Sequence, residues 1–418
     1  MHELLKTWKP SKAEPWDFDS AAHLWRRAGF SAATEQVRST LQRTPADAVR
    51  QMVDGPGKEP ATEELEFIYQ SVLGSDKVDD ARAWILMRMV RSEHQLREKL
   101  ALFWHGHFAT SFAKVRDVGW MMRQYRLFLN DGLGKFPVLL DAVARDPAMI
   151  RWLDNETNRK GQANENYARE VFELFTLGEG NYSEQDIREA ARAFTGWHIM
   201  REQFHFARSL HDRGEKTIFG QTGKFGGEDV QRLALEQDAC GRFLAGKLLR
   251  FFVMPEPDEA VVTSLGAAMK KNGYDVAATM RIVLGSRLFF SPQARRSIVK
   301  SPIDFVVGSA RALELRQTNT KAAVPTLRLM GQDVLSPPNV KGWPGDRAWI
   351  NTATWLTRVR AARAIAAQAK QSLGVDGSAL ALLGRPLPPE ERASLQSSGA
   401  GSAETVQALL TLPEVHLA

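Results

Sequence analysis

Two short stretches concentrate side chains able to move protons. Residues 164–173 read NENYAREVFE and residues 211–216 read HDRGEK. In the first, Glu170 and Glu173 offer two carboxyl groups one helical turn apart, either able to act as acid or base, with Arg169 beside them to hold an anionic group. In the second, His211 and Asp212 pair an imidazole with a carboxylate. A histidine near its ordinary pKa exchanges protons at neutral pH, and the carboxylate can orient it or act as a second base. Lys216 follows in a glycine-bearing turn as a further anion-holding cation.

Each stretch also has a plainer reading. On a helix starting near Glu165, Glu165, Arg169 and Glu173 share one stripe and Asn166, Glu170 and Glu173 the next, with Ala168, Val171, Phe172 and Phe175 opposite. Such a polar side is either a solvated ladder of ion pairs or the lining of a pocket, and periodicity does not choose between them. The HDRGEK stretch could equally be a hairpin in which Asp212 caps the turn before Gly214.

FWHGHF sets His105 and His107 two positions apart, about 200° around a helix, so the two cannot bind one metal from the same face. His107, at the expected helix end, is the better candidate for orienting a substrate or a metal, and His105 is assigned to surface or core. His107, Glu170, His211 and Asp212 together would make a nitrogen and oxygen set suited to zinc, manganese or iron. No HExxH spacing supports it, nor is there a G-x-S-x-G elbow, a Walker A motif or a G-x-G-x-x-G loop, so the sequence names no metal or other cofactor. SPPNVKGWPGDRAW, from Ser336 to Trp349, has three prolines and two glycines around Lys341 and Trp343 and must be an irregular loop of the kind that presents binding residues. Among the eleven tryptophans, Trp197 and Trp343 lie near polar motifs; core packing is the ordinary role for most, and Trp343 is the best exception.

The elements that position these residues are mainly helical. Apolar spacing near 3.6 predicts helices across Asp80 to His107 and around 45–53, 118–130, 136–145, 166–177, 184–196, 228–252, 258–271, 275–287, 301–315, 350–371 and 402–411. Ser183 and Asp186 form an approximate capping box, and Gly178 and Gly180 close the preceding helix. Region 198–227 alternates locally and is rich in glycine, which predicts a small β-hairpin insertion forming a rim. The expected fold is mainly α, a bundle-like or array domain over residues 1–372 with the insertion at 198–227 and the loop at 336–349, and a C-terminal helical extension over 373–418, with Gly/Ser-rich breaks around 396–402, packed on it.

With 55 basic and 49 acidic residues the formal charge is +6. No run of basic residues marks a nucleic-acid arm, and an acidic ligand is permitted. The single cysteine, Cys240, excludes an intramolecular disulfide framework. No stretch approaches the length of a membrane span, and the N-terminus lacks an apolar signal-like run, so a cytoplasmic location is the default and a processed or partner-exported protein the alternative.

The segments AAHLWRRAGFSA at 21–32, FWHGHFATS at 103–111, NENYAREVFELFTLGEGNYSEQDIREAARAFTGW at 164–197, HDRGEKTIFG at 211–220 and PPNVKGWPG at 337–345 resemble the bacterial family called domain of unknown function 1800. The resemblance implies a predominantly helical protein, often encoded beside a member of domain of unknown function 1501, whose members resemble sulfatases and alkaline phosphatases and often carry twin-arginine signals. It thereby suggests an extracytoplasmic role and a protein partner. Carried over by residue, the family pattern covers His107, Asn164, Glu165, Asn166, Tyr167, Arg169, Glu170, Glu173, Thr195, Gly196, Trp197, His211, Asp212, Lys216 and the loop from Lys341 to Gly345. His105 departs from it, since relatives often carry an aromatic there.

The resemblance tilts the polar helix toward a partly buried site. The expectation is an enzyme, a hydrolase or lyase acting on an extracytoplasmic glycan or other polar or anionic polymer. Glu170 or Glu173 would be acid or base and His211 with Asp212 the proton-handling pair. His107, Asn166, Tyr167, Arg169, Trp197, Lys216, Lys341 and Trp343 would bind substrate. The competing expectation is a non-enzymatic binding or assembly partner of the sulfatase- or phosphatase-like neighbour.

Overall fold

Short polar residues begin many of the helices, and their side chains take up free N–H groups of the first turn. Asp17, Thr44, Asp117, Asp146 and Asn319 each accept from a backbone N–H two or three residues on. Ser183 with Asp186, and Ser301 with Asp304, complete reciprocal capping boxes. The computed structural model describes residues 1–56, 61–315, 318–369, 373–397 and 402–418. The expected helix end at 371, the division expected at 372 and the Gly/Ser-rich residues 398–401 lie outside the described residues.

The chain is mainly α, with two small antiparallel hairpins between helices. The helices Pro45–Asp54, Val118–Asp131, Phe136–Ala144, Glu184–Ala193, Glu259–Lys271, Val276–Leu284, Pro302–Ala312 and Thr352–Ala366 fall where the apolar spacing sets them. Two long predicted helices are each broken. Asp80 to His107 divides into Val78–Arg91 and Gln95–His107, because buried Gln95 donates to the carbonyls of Met89 and Ser92 and so stabilises a corner that backbone bonding alone would leave open. The 228–252 segment divides into Gly227–Glu236 and Asp238–Phe252 at Gln237, which sits in extended geometry.

One apolar cluster runs through the molecule, from Leu5 and Trp8 to Leu409, Leu410 and Val415 near the end of the chain. Trp84 and Trp104 lie inside it with their indole N–H groups donating to Leu65 and Gly132 carbonyls at 2.8 Å each, so burial leaves no orphan donor. The C-terminal segment is tied to the rest through the Lys300 N–H to the His416 carbonyl and the Ala418 N–H to the Ile298 carbonyl. Asp238–Phe252 and Glu259–Lys271 pack closely because Gly241 faces Gly266; a Cβ at Gly241 would stand 2.5 Å from the Gly266 carbonyl oxygen. Among the described residues, no helix is long and apolar enough to cross a membrane.

The insertion predicted at 198–227 is two hairpins. Trp197–Met200 pairs with Gln203–Phe206, and Lys216–Ile218 with Gln221–Gly223. Carboxylates of the Glu184–Ala193 helix hold the second: Glu189 accepts from the Thr217 N–H and Asp186 from the Phe219 N–H.

Candidate functional site

The polar helix does not continue as the sequence spacing suggests. After an α segment, Asn166–Glu170, the backbone widens into a π segment, Val171–Thr176, and closes with the Leu177 N–H bonded to the Phe172 carbonyl five residues back. A π segment inside a helix is rare and shifts every following side chain around the axis. The expected stripe of Glu165, Arg169 and Glu173 is therefore split. Arg169 meets Glu165 at 3.2 Å and grips both oxygens of Glu184 at 2.9 and 2.8 Å. Glu173 turns instead to the Tyr182 hydroxyl, which donates to it at 2.9 Å.

Glu170 has no such partner. Its Oε2 is buried without a hydrogen bond among the described residues. Burial, then the neighbouring Glu173 charge, push its carboxyl up to about 7, against smaller opposing effects of Arg169 and Lys341. Lys341 reaches this group from the 336–349 loop: its ammonium pairs with Glu179 at 3.2 Å and feels the charges of Glu173 and Glu170.

That loop is irregular, as its prolines require, but firmly held. Buried Arg82 binds the Val334 carbonyl, the Asp333 carboxylate and the Ser336 hydroxyl, and the Leu335 N–H donates to His105 Nε2 at 3.0 Å. His105 is thus a buried anchor, its pKa depressed to about 3 by desolvation, and its ring meets Trp343 edge-on at 5.0 Å. Gly342 lies directly on the Gln95–His107 helix. Its φ of +86° and its approach to the Gly106 carbonyl leave no room for a Cβ.

Between this loop, the end of the Gln95–His107 helix and the last turn of the Asp238–Phe252 helix lies a cavity of about 340 Å³. Leu102, Phe103, Phe251 and Trp343 give it apolar and aromatic walls, and Arg27, Lys247, Arg250 and Lys341 bring positive charge to it. His107 is in its wall too. The Phe175 carbonyl can only accept, so His107 Nε2 carries the proton and donates to it at 3.1 Å, leaving Nδ1 to accept from Lys247 at 3.2 Å. Lys247 also donates to the Leu174 carbonyl at 3.1 Å. Both side chains thus cap carbonyls at the end of the π segment. Burial, then the Arg250 charge, lower Lys247 to about 8.

These motifs decide the kinship. The chain belongs to the family described as protein of unknown function (DUF1800). It matches that family over residues 23–417, nearly its whole length. No curated protein and no solved structure is similar enough to match it.

Within this DUF1800 chain, the residues singled out in the sequence fall into separate places. His107, Lys341 and Trp343 line the cavity, whereas Glu170 and Glu173 are not among its lining residues and lie within electrostatic reach of Lys341. Asn166 is exposed at the helix start, Tyr167 is buried edge-on against Phe194, and Trp197 is a core residue 1% exposed. His211, Asp212 and Lys216 are not among the cavity's lining residues. His211 Nδ1 donates to the Thr195 carbonyl at 2.9 Å; Asp212 pairs with Arg192 at 2.8 Å and accepts from the Gly214 N–H at 2.8 Å. Arg192 chiefly, through its hydrogen bonds, holds the Asp212 carboxyl down at about 2. Buried Lys216 donates to the Asp212 and Gly214 carbonyls at 2.6 and 3.0 Å. Among the described residues, no group of three or more His, Cys, Asp or Glu side chains is arranged to hold a metal ion.

Arg27, Lys247 and Arg250 were not selected from the sequence. Arg27 stands in the quoted AAHLWRRAGFSA motif, where its charge inside an amphipathic helix was the available signal, and Lys247 and Arg250 interrupt the apolar run GKLLRFF at a helical i, i+3 spacing.

Proposed function

We propose that this protein is an acid–base enzyme, a hydrolase or lyase acting on a polar extracytoplasmic polymer of glycan type, with Glu170 as its proton-transferring group. The observation that carries the reading is the Glu170 carboxyl: a buried, unpartnered oxygen and a pKa raised to about 7, within reach of the charge of Lys341, which lines the cavity. Groups tuned close to working pH transfer protons most effectively, and desolvation beside a like charge is how carboxyls are brought there. Glu173, held by the Tyr182 hydroxyl, is the neighbouring carboxylate that acts on it. Trp343 offers an aromatic wall on which a sugar ring can lie.

Two chemistries fit and are separable. In hydrolysis, protonated Glu170 gives its proton to the leaving oxygen; in elimination, ionised Glu170 removes a carbon-bound proton. Purified protein incubated with bacterial surface polysaccharides would be read for new reducing ends and for the ultraviolet absorbance of an unsaturated product. Glu170→Gln should abolish whichever signal appears, and a folded Glu170→Gln protein with unchanged turnover would end the proposal.

A second reading is supported by a different observation. Leu329 and Leu356 are exposed on two helices that pack together, Thr320–Leu329 and Thr352–Ala366, with exposed Ile350 just before the second. Three apolar side chains on adjoining elements suit a protein contact, and on this reading the chain is an assembly partner of a domain of unknown function 1501 protein. Co-purification that is lost in Leu329→Asp/Leu356→Asp and kept in Glu170→Gln would favour it over the enzyme.

A further inference from the structure

The cavity is basic in a way that proton transfer at Glu170 does not require. Lys247 and Arg250 lie one turn apart on the Asp238–Phe252 helix, and Arg250's charge acts directly on Lys247. The Arg250 guanidinium has no hydrogen bond or ion pair among the described residues. Arg27, 2% exposed, uses Nε and Nη2 on the Phe252 and Phe251 carbonyls at 3.1 and 2.8 Å, which leaves Nη1 without a protein partner among the described residues. The two acids of the same cavity act on Arg27, and neither is among the charges acting on Lys247. Asp304 is ion-paired with Lys99 and caps its own helix, and Asp346 accepts from the Val299 N–H at 2.9 Å.

The charge behind the wall has the same sign. Lys300 is buried with its ammonium on the Val415 carbonyl, and Arg358 is buried with its guanidinium on the Lys300 carbonyl. Burial, then the Arg26 charge, bring Lys300 down to about 7, so at neutral pH the lasting positive charge behind the wall is that of Arg358. Clustered cations that the protein leaves short of acids raise the local potential and stabilise an anion entering a water-poor site.

Part of the same lining is aromatic. Trp343, Phe103 and Phe251 face the cavity, and the Trp343 indole Nε1 is buried with no hydrogen-bond acceptor among the described residues.

We propose that this cavity binds a phosphate or sulfate monoester of a ring-bearing alcohol, its oxyanion held by Lys247, Arg250 and Arg27 and its ring lying against Trp343. This names the ligand class of the cavity used in the proposed function and shares with that reading only the space, since binding needs no turnover. Tetrahedral oxyanions carry enough acceptor oxygens to engage three cations at once, and guanidinium groups match their geometry.

Calorimetry with 1-naphthyl phosphate and 1-naphthyl sulfate tests the proposal, with 1-naphthol and inorganic phosphate as the two halves of the ligand. One or both esters should bind at least tenfold more tightly than either half, and the better ester identifies the natural head group. Arg250→Ala, at an exposed side chain without partners, should keep the wild-type melting temperature and weaken ester binding tenfold or more; Trp343→Phe should weaken it less. Equal affinity for naphthol and the esters, or undiminished binding by Arg250→Ala, would overturn the assignment. Glu170→Gln separates the two proposals: ester binding retained while turnover is unaffected leaves the anion site standing and removes the acid–base reading. Turnover lost on Glu170→Gln with no ester binding in wild type does the reverse.

Discussion

The HDRGEK turn and the cavity edge contain the same kinds of side chain, imidazole, carboxylate and ammonium, yet differ in what those groups already hold. In the turn, Thr195 takes the His211 Nδ1 proton, Arg192 and the Gly214 N–H hold Asp212, and two carbonyls occupy the buried Lys216 ammonium. At the cavity, the Trp343 N–H and the Arg250 guanidinium lack protein partners among the described residues, and so does an oxygen of Glu170, which lies outside the cavity lining but within reach of the Lys341 charge. A polar group whose partners are all internal works for the fold, because removing it strands those partners. A group left open after burial was costly is the one with capacity for a ligand. The second hairpin is thus a strut on the Glu184–Ala193 helix, and the chemistry is sought where bonds are missing.

The sharpest way to break that contrast is to compare substitutions in the two regions on activity. Glu170→Gln keeps the shape and removes the transferable proton, so kcat/KM should fall by about 10²–10⁴, the usual contribution of a positioned acid or base. His211→Ala should lower it by no more than a few-fold in protein that remains folded. A large loss at His211 with an unchanged melting temperature would reverse the assignment of the two regions. The pH profile then sharpens the result: with the Glu170 carboxyl near 7, an acid role makes the rate decline as pH rises through 7, and a base role makes it climb.

Stability should rank the regions the other way. Lys216→Met leaves the Asp212 and Gly214 carbonyls without their donor, and loss of such a buried bond costs about 1–3 kcal/mol, visible as a lower denaturant midpoint. Gly342→Ala should cost a similar amount, about 1–3 kcal/mol, because φ there is +86° and the new methyl group meets the Gly106 carbonyl. Gly342→Ala should also loosen Trp343 and weaken ester binding, whereas Lys216→Met should leave it intact. If the two variants affected binding equally, the hairpin would not be a remote strut.

Much of the helical frame was legible because it depends on local signals. The apolar period set the helices, Ser183 with Asp186 marked a start, and the prolines of 336–349 ruled out a helix there. What escaped depends on contacts distant in sequence or on backbone geometry without a side-chain code. Gln95 bends the chain at Ser92 by bonding carbonyls, a role that nothing in its own position announces. The π segment from Val171 to Thr176 reads as ordinary helix, so the spacing sets Glu173 in one stripe with Glu165 and Arg169, whereas the fold turns it to Tyr182. His107, Lys341 and Trp343 could be chosen from their settings at a helix end and in a rigid loop. Arg27, Lys247 and Arg250 come from segments more than two hundred residues apart, and only folding makes them a cluster.

The smallest expected effect tests the contrast without any substrate. In the unfolded chain Glu170 should titrate near 4.3, the ordinary glutamate value. In the fold its carboxyl is raised to about 7 by desolvation first and Glu173 second, so the fold favours the protonated form. The stability that protonation confers is complete below the unfolded value and is lost as pH rises through 7. Glu170→Gln is neutral at every pH and escapes that loss. Its melting temperature relative to wild type should therefore be higher at pH 8.5 than at pH 4. Asp212→Asn should show the opposite trend: the depressed Asp212 carboxyl, near 2, stabilises the fold above its unfolded value and loses that effect as pH falls. Parallel pH curves for the two variants would mean that the carboxyls differ in sequence position but not in environment, and the distinction between strut and site would fail on stability alone.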